Sequence, residues 1–125
     1  MKLIPCILVF IGGGIGVFSR YGVTLYANRL FGASFPLGTL SVNLLGCLLI
    51  GLSFSMAEQK LISTDVRVFF VTGFLGGLTT FSTYAVESII NFRDGMHGIA
   101  FLNLAANNLA GLALVIIGLW LGRLI

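Results

Sequence analysis

The chain has 125 residues, is 58% hydrophobic and 9% charged, and its mean hydropathy of +1.08 lies outside the range of soluble globular domains and places it in a membrane. At about 20 apolar residues per span, this length holds four short-looped helices in one domain, residues 1–125, with almost nothing outside the bilayer. A net charge of +3 carried by seven scattered basic residues forms no cluster, which excludes a nucleic-acid surface.

The opening "MKLIPCILVFIGGG" has a Lys and an apolar stretch like a secretory signal, but no A-x-A-type cleavage site follows, so it reads as a retained first span, about Leu3 to Ala27. Near its end lies Arg20 in "GGGIGVFSRYG", which either snorkels to the interface or draws anions into a vestibule. After the loop "NRLFGASFP", the second span runs from about Leu37 to Ala57 and carries Asn43. An amide at mid-span must hydrogen-bond, so it either glues helices together or lines a wet route.

The loop "EQKLISTD" leads into a third span, about Val66 to Asn91, interrupted by "GFLGGLTTFSTY". Gly76 and Gly77 make unwinding cheap, and Thr79, Thr80, Ser82 and Thr83 supply hydroxyls to satisfy a broken backbone. The segment is either a simple kink with Phe81 and Tyr84 as packing aromatics, or an unwound break whose carbonyls suit a hard cation such as Na⁺. The loop "FRDGMHG" holds His97, the sole histidine, with no catalytic or metal-ligating set around it. In the fourth span, about Ile99 to Leu121, Asn103 and Asn107 share one face at i and i+4, with Asn108 beside them. Their amides can donate to an anion without a fixed charge.

Glycine pairs at spacing four, Gly12 with Gly16, Gly73 with Gly77 and Gly118 with Gly122, allow close helix approach. Cys6 and Cys47 lie in apolar runs and read as packing residues. The expected architecture is an all-α antiparallel bundle of four transmembrane helices with a broken third helix. Lys2, Lys60, Arg67 and Arg123 fall on one side and Arg29 and Arg93 on the other, a weak positive-inside bias that suits a chain inserting both ways.

Taken together, "GGGIGVFSRY", "PLGTLSVNLLG" and "GFLGGLTTFSTYAVE" resemble the Fluc/CrcB family of fluoride channels, and the resemblance covers the whole chain. It implies an antiparallel dual-topology dimer in the cytoplasmic (inner) membrane, passing fluoride passively through two pores at the dimer interface and conferring fluoride resistance. It implies one structural Na⁺ per dimer, held by backbone carbonyls that map onto Gly76 and Thr79. Phe81 and Tyr84 map onto the family's pore phenylalanines, Asn43 onto its pore asparagine and Arg20 onto its vestibule arginine; Ser82 and Thr83 belong to the same pore segment.

The sequence departs from that pattern at two places. Tyr84 keeps the ring but adds a hydroxyl, which either donates to fluoride or narrows the path. The family's fourth-helix polar track maps onto Asn103, Asn107, Gly111 and Val115, so its lower half has lost its hydroxyls, as in a subunit that pairs with a paralogous partner to form a heterodimer. Glu87 is expected to pair with a cation such as Arg20 or to be solvated at the pore mouth. Two alternatives remain open: a proton-coupled exporter of the small multidrug-resistance kind, for which Glu87 is the one candidate carboxylate, and a non-transporting assembly subunit using its glycine seams.

Overall fold

Four apolar helices of membrane-spanning length form the molecule, and no strand occurs among the residues 2–125 that the computed structural model describes. The first, α1 (Leu3–Phe31), has 29 residues, about 44 Å at 1.5 Å per residue and longer than a ~30 Å hydrocarbon core. It ends at Gly32, whose φ of 76° turns the chain and lets its N–H donate to the Asn28 carbonyl. Because α1 continues to Phe31 rather than Ala27, Arg20 lies close to the middle of the helix, not near its end.

The second helix, α2 (Leu37–Glu58), ends one residue past the expected limit. The third span is composite: α3 (Thr64–Arg67), a π-helical stretch (Val68–Leu75), α4 (Gly76–Leu78), two extended residues, and α5 (Phe81–Arg93). Ser63 starts it, its Oγ accepting the Val66 N–H at 3.3 Å. The fourth is α6 (His97–Ala105), a second π stretch (Ala106–Ala110), and α7 (Gly111–Gly122). His97 therefore opens a helix rather than lying in a loop; it is exposed and rests edge-on against Phe92.

The principal packing seams join α1 to the first π stretch and α2 to α7, and glycines set both. A Cβ on Gly12 or Gly16 would collide with the backbone at Phe69 or Phe74, and one on Gly51 or Gly118 with backbone on the opposite side of the α2–α7 seam. With lipid as apolar as leucine, this backbone contact is what holds helix to helix. A small core of Val42, Leu75 and Leu78, flanked by Leu49, Phe70 and Phe74, sits where α2 meets the third span. Both cysteines are free thiols.

The break in the third span lies two residues beyond the glycine pair. Gly76 and Gly77 remain helical within α4, and a Cβ on Gly77 would stand 2.5 Å from the Gly13 carbonyl oxygen. Gly77 thus serves close approach to α1 rather than unwinding. The extended residues are Thr79 (φ −83°, ψ 155°) and Thr80 (φ −149°, ψ 113°), β-branched residues suited to that conformation.

Candidate functional site: a polar track at the helix break

A helix break at membrane depth leaves backbone groups that neither water nor the ladder satisfies. Thr80 answers part of this locally: its Oγ1 accepts the Thr83 N–H at 3.3 Å as the N-cap of α5. The same hydroxyl donates to Thr83 Oγ1 at 3.0 Å and lies 3.5 Å from Ser82 Oγ. Thr79 Oγ1 returns to the Leu75 carbonyl at 3.0 Å.

The remaining groups are met from α2. Asn43 Oδ1 accepts the Thr80 N–H at 2.8 Å and Asn43 Nδ2 donates to the Thr80 carbonyl at 3.2 Å, so the amide pairs with Thr80 much as a neighbouring β-strand would. Asn43 Nδ2 also donates to Asn107 Oδ1 at 3.0 Å. Of the two readings open in the sequence, the hydrogen bonds give Asn43 the role of joining α2 to the third and fourth spans, and the same side chain borders a cavity.

The track continues along the fourth span. Asn107 Nδ2 donates to Asn103 Oδ1 at 2.9 Å and to the Asn103 carbonyl at 3.0 Å. Asn103, fully buried, donates from Nδ2 to Ser88 Oγ at 2.9 Å, and Ser88 donates to the Tyr84 carbonyl at 2.9 Å. Neutral amides and hydroxyls thus connect α2, α6 and α5 without a formal charge. Ser88 was missed in sequence; its i+4 spacing from Tyr84 on the inner face of α5 was the available signal.

Asn43, Asn107, Thr79, Gly76, Phe81 and Tyr84 border an open cavity of about 340 Å³. Phe81 is 78% exposed while Tyr84 is buried; the two rings meet edge to face, centroids 5.5 Å apart at 64°. Ser82 and Thr83 are exposed on the first turn of α5. Gly111 and Val115 do not extend the track: a Cβ on Gly111 would meet Cys47 Sγ, and the Val115 carbonyl abuts Gly51, so both serve the α2–α7 seam.

Arg20 reaches the break from α1, with Nη1 donating to the Thr79 carbonyl at 3.4 Å. Among the described residues the sole ion pair is the exposed Arg93–Asp94 contact, so Arg20 has no carboxylate partner. The expected pairing with Glu87 does not form. Glu87 instead accepts from Thr39 Oγ1 at 2.8 Å, with its Oε2 buried and without a partner, in a separate recess shared with Thr24 and Asn28.

Gly76 and Thr79 both face the open cavity, and the extended ψ of Thr79 turns its carbonyl out of the helical ladder. Apart from the long Arg20 contact that carbonyl keeps a lone pair free. The donor set is hard oxygen, suited to Na⁺. Two carbonyls are too few for a cation on their own, so such an ion would need further oxygen ligands from outside this pair.

A family model described as "CrcB-like protein, Camphor Resistance (CrcB)" matches residues 7–119. Among curated relatives, the chain is 42% identical over 121 residues to a "Fluoride-specific ion channel FluC" of Parabacteroides distasonis, covering 97% of this chain and 94% of the relative. Proteins of the same name from Maridesulfovibrio salexigens (42% over 115 residues, 91% of each chain) and Clostridium perfringens (40% over 126 residues, 99% of this chain and 98% of the relative) are similar to it. Matched across all four helices by the family model and over nearly its whole length by these channels, the chain belongs to the CrcB family, a family of ion channels and not of enzymes.

Proposed function

We propose that the chain forms a fluoride-selective channel through which fluoride leaves the cell passively across the cytoplasmic membrane. The observation that carries this reading is the uncharged track Asn43–Asn107–Asn103–Ser88, which reaches through Asn43 and Asn107 a cavity that the exposed Phe81 also lines. In this structure the amide hydrogens of Asn43 and Asn107 and the Ser88 hydroxyl are bonded within the protein. These groups therefore replace part of an anion's hydration by exchanging an internal bond for one to the ion, and a ring edge presents the positive end of its quadrupole. Neither is strong enough to trap the ion, and conduction needs binding weak enough to leave. Arg20, lacking a carboxylate partner, raises the local anion concentration at the break.

The active unit on this reading is an antiparallel, dual-topology dimer with two pores. Ser82, Thr83, Asn108 and Gly76 are exposed on the surface of membrane-spanning helices, and polar groups there need protein or water rather than lipid tails. A second copy laid over the break would cover them. It would also complete the oxygen set of the Gly76 and Thr79 carbonyls for one Na⁺, which supplies positive potential to the anion path when bound.

The test is fluoride efflux from liposomes as a function of the Phe81→Ile variant and of an imposed pH gradient. A channel with Phe81 at the pore loses flux in the variant while the dimer persists, and its efflux needs no proton gradient; unchanged flux removes Phe81 from the path. A paralogous subunit as partner would show itself as flux that appears only on co-reconstitution.

A further inference from the structure

We propose that Asn108 positions the Tyr84 phenol so that its proton is donated to the permeating anion. This rests on the fluoride-channel reading and concerns the position where the aromatic pair carries a hydroxyl. Asn108 Nδ2 makes two contacts, 2.8 Å to the Leu104 carbonyl and 2.7 Å to Tyr84 Oη. A carbonyl can only accept, so the group facing Leu104 must be the NH₂ and the orientation of the amide is fixed. Its two hydrogens are then both used, one on each acceptor.

The polarity of the second bond follows. Asn108 donates, so Tyr84 Oη accepts, and the phenolic proton is left for another partner. Among the described residues Tyr84 Oη makes no other hydrogen bond. An unspent O–H donor on a buried side chain is costly, and Tyr84, like its partner Asn108, lines the same cavity as Asn43, Asn107 and Phe81. The ligand that fits is a small anion of high hydrogen-bond basicity, because an O–H donated to a charged acceptor makes a short, strong bond. Fluoride meets that description better than chloride. Two features keep Asn108 and Asn107 on one cavity despite being adjacent in sequence. They lie in the π stretch Ala106–Ala110, whose wider turn brings consecutive side chains closer in angle than an α-helix does, and each is tied to a different wall, Asn107 to Asn43 and Asn108 to Tyr84.

Tyr84 is thus more than a space-filling ring. The pair combines Phe81, which offers a quadrupole edge, with Tyr84, which offers a directed O–H, one above the other on α5 at 5.5 Å between centroids. Asn108 touches no anion in this scheme; it acts through Tyr84.

The experiment compares wild type, Tyr84→Phe, Asn108→Ala and the double variant, all reconstituted as full chains. Fluoride efflux and fluoride-over-chloride selectivity are measured, with dimer elution as the folding check. Loss of one charge-assisted bond corresponds to about tenfold: Tyr84→Phe lowers fluoride selectivity by that order, Asn108→Ala lowers it less, and Asn108→Ala adds nothing in the Tyr84→Phe background. Equal selectivity in wild type and Tyr84→Phe, or an Asn108→Ala effect that persists undiminished without the hydroxyl, overturns the proposal. A second readout needs no variant: the ring Cζ resonance of labelled Tyr84 moves on adding fluoride and not on adding chloride, and a resonance indifferent to fluoride refutes it. Wild-type protein that passes no fluoride, alone or co-reconstituted with a paralogous subunit, contradicts the channel reading itself, a different outcome from a conducting channel indifferent to Tyr84.

Discussion

Replacing Asn43 with Ala removes three hydrogen bonds at one stroke: the 2.8 Å acceptance from Thr80 N–H, the 3.2 Å donation to the Thr80 carbonyl and the 3.0 Å donation to Asn107. Side-chain bonds inside membranes average about 0.6 kcal/mol each, which gives about 2 kcal/mol as a lower bound. Thr80 is 8% exposed, so its N–H is left buried and unpaired, at a cost of about 1–3 kcal/mol. The expected destabilisation is therefore about 2–4 kcal/mol, at least a roughly thirty-fold change in the folded-to-unfolded ratio. Equilibrium unfolding in detergent measures the total, and hydrogen exchange at the Thr80 amide measures the local part, since that proton loses its acceptor. An Asn43→Ala variant with unchanged unfolding free energy and unchanged Thr80 protection would refute the assignment of Asn43 as the clasp of the broken helix.

Gly77→Ala places a methyl group against the Gly13 carbonyl, whereas Gly14→Ala meets nothing within 4 Å; the first should lower thermal stability and the second leave it unchanged, read by melting of the purified protein. Exchange of Na⁺ for a bulky organic cation on both sides of the membrane should depress fluoride efflux and weaken the dimer, measured by flux and by elution volume, because backbone carbonyls alone cannot ligate the larger ion. Glu87→Gln keeps an oxygen for Thr39 Oγ1 but removes the titratable group; channel flux should stay independent of a pH gradient in both proteins. Loss of gradient-driven transport in the variant would instead mark Glu87 as the carboxylate of a proton-coupled exporter.

Four helices were legible in the sequence because apolar run length in a 125-residue chain leaves few alternatives. The helix limits moved by up to four residues, at Phe31 for instance, since loop residues such as Asn28 and Leu30 extend a helix without a breaker. The third helix does break, but the glycines misplace it: Gly77 is explained by a contact with Gly13 that belongs to tertiary structure, and the extended residues are threonines able to cap themselves. Asn43, Asn103 and Asn107 were visible as intramembrane amides, and their joining into one track was not, because it depends on how α2 meets the fourth span. Pairing Arg20 with Glu87 was plausible by charge alone. Geometry gives each a different neighbour, Thr79 for Arg20 and Thr39 for Glu87.

The most direct test of the central claim is ion efflux from liposomes containing this chain alone, loaded in turn with fluoride and chloride. Passive fluoride release at low protein density, with chloride retained, is the predicted result. Retention of fluoride alongside robust chloride or proton movement would contradict it.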